Sequence, residues 1–229
     1  LSQELFPDRE LILRLREELR RETPSRSSIV YGQVIERFRE INRQDDTGQQ
    51  PHFVRARLTP ADGRAHLVSI NDVHLGHKAA LRSKMESYVQ FILDTDGVYA
   101  LGLGDVIENA TRDSVGAGQF EESFHLDKQI EVAIDILKPL AKAGKLLGLH
   151  RGNHEARSYN RLGIDPMRIV ARELDVPYLG EAAYHVWRVG NQTYTCYSVH
   201  GRSGARTPSG KLNALLRLRV VADAARYRM

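Results

Sequence analysis

Three short apolar runs, each followed within a few residues by a carboxylate, an amide or an imidazole, constrain this chain more than any other feature. His66–Asn71 leads into Asp72-Val73-His74-Leu75-Gly76, Val98–Leu103 into Gly104-Asp105-Val106-Ile107-Glu108, and Leu146–His150 into Gly152-Asn153-His154-Glu155. Each run reads as a buried-type strand, and helical periodicity lies between them at Met85–Leu93 and Asp127–Ala143, and after them at Asp165–Leu174. Strand–helix alternation of this kind predicts an α/β core with a largely parallel sheet. In such sheets the functional groups gather beyond the carboxyl ends of the strands, which is where these polar residues stand. Tyr184–Val189 and Thr193–Val199 alternate on either side of Gly190-Asn191, a hairpin signal that adds a second sheet and leads into His200-Gly201. Lys211–Arg226 resumes helical spacing.

The first 60 residues read differently. Glu10–Glu22 is a short amphipathic helix, Thr23-Pro24-Ser25 breaks it, and Ile29–Ile41 resumes the helical pattern. We expect a small helical N-terminal extension over 1–60 and an α/β domain over 61–229. Two helices around a turn also match a helix-turn-helix, but no recognition-helix signature accompanies them. Asn42–Pro51 is a polar loop, Phe53–Leu58 alternates as an exposed strand would, and Pro60-Ala61-Asp62-Gly63 is a turn. The chain starts on Leu1, and Val221–Met229 reads like the middle of a helical segment, so we expect a fragment of a longer protein.

Composition narrows the chemistry. The 229 residues suffice for one sizeable domain, and no apolar run reaches membrane-spanning length. The chain opens without a signal-peptide pattern. Cys196 is the single cysteine, which excludes an intrachain disulfide and a thiolate zinc site and fits a reducing, cytoplasmic setting. The net charge of +4 suits an anionic partner, either a phosphate ester or nucleic acid, although genomic base composition explains it as well. The stretch from Gly201 to Met229 is rich in arginine and holds one acid, Asp223.

Oxygen and imidazole donors without thiolate suit two divalent cations, manganese first, with iron, zinc or nickel as alternatives. Hydrolysis of a phosphate ester needs a nucleophile at neutral pH and neutralised phosphoryl oxygens. Two metals about 3.5–4 Å apart, sharing a hydroxide, supply both. Asp105 is the natural carboxylate to bridge the pair. Asp72 and His74, one residue apart at a strand end, can turn to the first metal. Asn153 and His200 offer an oxygen and a nitrogen to the second, and His154 is left to protonate the leaving oxygen. Each motif alone has a bland reading as a turn or a satisfied loop. Their recurrence in order, each after a strand, favours the metal site.

These blocks resemble the calcineurin-like metallophosphoesterase superfamily, over roughly Leu67 to the end of the chain. Gly163-Ile164-Asp165, Val176-Pro177-Tyr178-Leu179 and His200-Gly201-Arg202-Ser203-Gly204 are similar to its phage and prophage branch. The resemblance implies a four-layer α/β/β/α sandwich with a dinuclear centre at the sheet edge. It implies Asp72, His74 and Asp105 on one metal, Asp105, Asn153 and His200 on the other, and His154 as the acid or phosphate-orienting residue. The family's last block, G-H-x-H, is absent after His200, which implies one imidazole fewer per metal and weaker binding.

Around this set, Glu108 and Asn109 are expected to steady Asp105. Arg151 and Arg202 are expected to contact phosphate, Arg202 together with Arg206 in a Gly/Ser-rich loop; ion pairing and a solvated loop are the alternatives. His77 is a weaker candidate for substrate contact, while His66, His125 and His185 read as structural or exposed. The functional expectation is a metal-dependent phosphodiesterase acting on nucleic acid. A phosphomonoesterase acting on a phosphoprotein or small metabolite, and a non-catalytic nucleic-acid-binding module with a degenerate metal site, are the alternatives.

Overall fold

The computed structural model describes residues 52–111, 114, 122–201, 204–205, 207–214 and 216–217. The helices expected at Glu10–Glu22 and Ile29–Ile41, the end of the last helix, Arg202 and Arg206 lie outside these residues. Val54–Gly201 forms one compact unit, and residues 208–214, outside it, are helical.

The elements run β1 (His52–Leu58), β2 (His66–Asn71), α1 (Arg82–Asp94), β3 (Val98–Gly104), α2 (Leu126–Lys142), β4 (Leu146–Leu149), α3 (Glu155–Leu162), α4 (Pro166–Glu173), β5 (Ala182–Val189) and β6 (Gln192–Val199). β2, β3 and β4 make a parallel sheet in that order, and β1, β5 and β6 make a second, with β5 and β6 antiparallel.

β3 shows why the layers form. Val98 and Ala100 join Met85, Val89 and Ile92 of α1, Ile136 and Leu137 of α2, and Met167 and Val170 of α4 in the larger core. Leu101, on the other face, joins Leu147 of β4 with Val54, Leu58 and Ala183 of the second sheet. A strand covered on both faces carries an unbroken apolar run, which is what Val98–Leu103 is. The described residues thus build helices on one face of a parallel sheet and the second sheet on the other.

Three expectations need correction. β1 is not an exposed strand: Val54 and Leu58 are buried, because its apolar alternation packs one face between the sheets. β2 is an outer strand, with only Ile70 buried. α3 was not foreseen, because its buried residues, Glu155 and Ser158, are polar and leave no hydrophobic period to read.

A buried polar chain joins the two sheets. The His150 Nδ1–H donates to the Gly180 carbonyl (3.1 Å), so Nε2 accepts from the Ser198 hydroxyl (2.6 Å). That hydroxyl oxygen in turn accepts from His185 Nε2–H (2.6 Å). Burial pushes the His185 imidazole down to about 4. The unfolded imidazole takes up a proton near pH 6.5 while the folded one stays neutral, so this group's contribution to stability falls as pH drops from about 6.5 towards 4. Between pH 7 and 5 the loss should reach about 2 kcal/mol. His185→Gln keeps the donor to Ser198 and removes the titration. Urea denaturation should therefore show the wild type losing this much more than the variant over that range. Parallel pH profiles would contradict the buried neutral assignment.

Candidate metal centre

The centre begins as main chain. Beyond β2 and β3 the two loops stay zipped together. Asp72 N–H donates to Gly104 O (3.2 Å), Val73 and His74 N–H to Asp105 O (2.8 and 3.1 Å), and Leu75 N–H to Val106 O (2.8 Å). Asp72, His74, Asp105 and Asn109 take φ of 52°, 51°, 52° and 45°. Among the described non-glycine residues only Asp175 shares that left-handed region, so four of five such positions fall in these two loops. Left-handed backbone costs a side-chain-bearing residue about 1 kcal/mol or more, and such strain gathers at functional sites.

The third loop presses against the second. A Cβ on Gly104 would stand 2.6 Å from Gly152 Cα, and one on Gly152 would stand 2.1 Å from Asp105 Oδ1. Glycine is required at both positions by this approach, and Gly104 also sits at φ 95°. Glu155, fully buried at the start of α3, clamps the junction. Its carboxylate accepts N–H groups from Asp105 (3.0 Å), Val106 (2.8 Å), Ile107 (3.2 Å) and Gly152 (2.8 Å). Asn109 adds a second tie, donating to His154 O (2.8 Å) and accepting from Ser158 Oγ (2.7 Å).

Onto this frame the side chains converge. Donor atoms of Asp72, Asp105 and His200 lie within 4.8 Å of one another, as do those of His74, Asp105 and His154. Asp105, 3% exposed, is common to both groups. Asn153 Oδ1 lies 2.9 Å from His200 Nε2 and so joins the first group. Asp72, expected beside His74 on one metal, thus groups with His200, and His74 groups with His154, while Asp105 is common to both groups as expected. His154, expected to stand apart from metal, also offers a ring nitrogen to the second group. The set fits divalent cations by its chemistry: carboxylate, amide oxygen and imidazole, without thiolate. His74 Nδ1 faces Glu108 Oε2 at 3.0 Å, and its Nε2 lies 4.0 Å from Asp72 Oδ1.

Protonation follows from the packing. Burial would raise the Asp105 carboxyl, but hydrogen bonds from His200 and from His154 N–H outweigh it and leave it below the usual carboxylate range. The hydrogen bond to Asp105 lifts His200 to about 9. Its Nδ1–H donates to Leu103 O (2.7 Å), so Nε2 is the atom turned to the centre. Without metal, stability from this pairing is present below about pH 6.5 and is lost as pH rises through about 9. An imidazolium cannot ligate, so cation binding at pH 7–8 should expel about one proton from His200, with affinity rising about tenfold per pH unit towards 9. Calorimetric titration in buffers of different ionisation enthalpy measures that proton directly. An enthalpy that does not vary with buffer would refute it.

Arg157 is a residue the sequence reading missed. Its guanidinium lies 2.9 Å from His154 Nε2 and donates to Glu108 O (3.2 Å), the same carbonyl that faces His154 Nδ1 at 2.8 Å. A guanidinium and a carbonyl leave one assignment: hydrogen on Nδ1 and a lone pair on Nε2. Burial first, then the Arg157 charge, holds this imidazole below its ordinary value. Three residues after His154, Arg157 is its neighbour only on a helix, so the unforeseen α3 concealed it. Glu155 was in view within Gly152-Asn153-His154-Glu155, but its four N–H partners come from residues distant or hidden in sequence.

Arg151, expected at phosphate, is 5% exposed. It pairs with Asp165 (3.2 Å) and Glu181 (2.9 Å) and lies over the Tyr159 ring at 4.1 Å. Asp165 also receives the Tyr178 hydroxyl and caps α4 through Met167 and Arg168 N–H. Two of the segments that carry the resemblance thus meet in one buried network. Glu108 and Asn109, expected to steady Asp105 and its neighbours, make their contacts to His74 and His154. His66 and His125 are exposed, and His185 is buried in the chain between the sheets.

No protein-family model, no curated protein and no solved structure matches the chain. The two-sheet α/β fold with two His/Asp groups sharing Asp105 is consistent with a calcineurin-like metal-dependent fold in general, and supports a metal-dependent hydrolytic site. No described helix is long and apolar enough to cross a membrane.

Proposed function

We propose that this chain carries the centre of a metal-dependent phosphoesterase acting on phosphodiesters, nucleic acid among them. The observation that carries the reading is the sharing of buried Asp105 between two donor groups, the arrangement a bridging carboxylate requires. Asp72, His74, Asp105, Asn153 and His200 would hold the pair of divalent cations, with manganese the first to test. A bound pair neutralises phosphoryl charge and makes water nucleophilic at neutral pH.

The chain's own residues do the rest. Glu155 and the two opposed glycines fix Asp105 before substrate arrives, and such preorganisation is what an electrostatic site depends on. His154 is assigned to the reacting phosphate as an orienting residue: its Nε2 lone pair faces the Arg157 guanidinium, and protonation of the leaving oxygen would require that atom to take up a proton first. Arg157, beside that atom, supplies a cation for phosphoryl oxygens.

The test compares hydrolysis of bis(nitrophenyl) phosphate and nitrophenyl phosphate with Mn²⁺, for the wild type and Asp105→Asn. Faster cleavage of the diester, lost in the variant, is expected. Cleavage of the monoester alone would assign a phosphomonoesterase. Metal binding without either activity would favour a non-catalytic module.

A further inference from the structure

A groove of about 1000 Å³ opens on the candidate centre, with Asp72, His74 and His154 in its wall, and extends between β2 and α1. The helix side is unusual. α1 buries Met85, Val89 and Ile92, yet Tyr88 and Phe91 on another face are 49% and 53% exposed, and Leu81 ahead of the helix is 67% exposed. Across the groove Leu67 of β2 is 42% exposed. Leu67, Leu81 and Tyr88 line the groove together, and exposed apolar side chains gathered in one groove mark a binding face.

Its charge says what kind of partner it fits. Asp72 and Glu108 lie in its wall at the end of the candidate centre, and Lys84 is the cation in the wall on the helix side. Lys84 lines the groove, and its Nζ stands 5.8 Å from the centre of the Tyr88 ring, which lines it too. His77 lines the groove nearer the first loop. A lysine beside an aromatic platform is one way proteins track a single strand, taking a phosphate on the cation and a base on the ring.

We propose that this groove binds single-stranded nucleic acid, with the scissile phosphate at the Asp105 end, a neighbouring base stacked on Tyr88 and a neighbouring phosphate against Lys84. The proposal rests on the phosphoesterase reading and gives it a substrate class. Lys84 and Tyr88 are exposed and lie outside the metal donor set, so both can be changed without touching the centre.

Fluorescence anisotropy of a labelled oligothymidylate of about ten nucleotides, measured in chelator so that nothing is cleaved, tests it. Tyr88→Ala should weaken binding about tenfold and Tyr88→Phe should restore it, because stacking needs the ring and not the hydroxyl. Lys84→Gln should weaken binding and reduce the salt slope by about 0.7, the value for one phosphate contact on a single strand. Lys142→Gln, an exposed lysine at the end of α2, should change nothing. No binding, binding indifferent to both groove residues, or protection of β2 amides by an apolar peptide but not by the oligonucleotide would overturn the proposal. If Asp105-dependent cleavage of the small diester survives that result, the groove assignment alone has failed. If the oligonucleotide binds through Tyr88 and Lys84 while no ester is cleaved, the phosphoesterase reading has failed instead.

Discussion

Asp105→Asn should cost the chain both metals at once. The carboxylate is the one group common to the Asp72–His200 and His74–His154 sets, and the amide that replaces it has one oxygen and no charge. Loss of groups that merely orient a ligand costs 10–100-fold in metal affinity, so loss of a ligand to both positions should cost more than about 100-fold. Elemental analysis after equilibration with Mn²⁺ should find metal in the wild type and background in the variant. His200→Ala provides the contrast, since His200 belongs to one set only and should leave part of the metal in place. Wild-type metal content in the Asp105→Asn protein would end the bridging assignment. Asparagine preserves the shape at this buried position and can still accept the His154 N–H, so thermal unfolding should show the variant folded.

Gly152→Ala should damage the same centre without altering a ligand. The added Cβ would meet Asp105 Oδ1 at 2.1 Å and Asp105 N at 2.3 Å, and neither can yield easily. Oδ1 is held by His154 N–H (2.8 Å), and the main-chain N–H by Glu155 (3.0 Å). One loop must move away from the other, at a cost of about 2–3 kcal/mol in stability. Metal affinity should fall about 10–100-fold through displacement of Asp105. Gly201→Ala, beside His200, is the control: its Cβ meets nothing within 4 Å, and neither quantity should change. Denaturant titration and metal binding on the two variants separate the outcomes. A Gly152→Ala protein indistinguishable from the wild type would show that the loops are not in rigid contact.

The strands and most helices were legible because burial writes itself as period. His66–Asn71 begins and ends as read, β3 and β4 differ by a residue at one end, and α2 and α4 by a residue at each end. That Asp72, His74, Asp105 and His200 would gather was legible for a different reason, their recurrence after apolar strands, whereas the grouping of Asp72 with His200 and of His74 with His154 was not. What the sequence concealed was polar burial. Glu155, Ser158 and Asn109 are inside because they satisfy main-chain groups of other loops, and nothing in a local window distinguishes them from surface residues. Arg151 shows the converse: an arginine beside a phosphate-site motif is engaged by acids 14 and 30 residues away in sequence.

The donors come from both sheets: Asp72, Asp105 and Asn153 follow β2, β3 and β4, while His200 follows β6. Bringing together groups so far apart along the chain costs loop-closure entropy that is repaid only once both sheets are in place, so the meeting is expected late on the route to the native state. Interactions absent from the transition state leave the folding rate nearly unchanged and slow unfolding. A cation held there would therefore act on time more than on shape, lengthening the life of the folded molecule without hastening its birth.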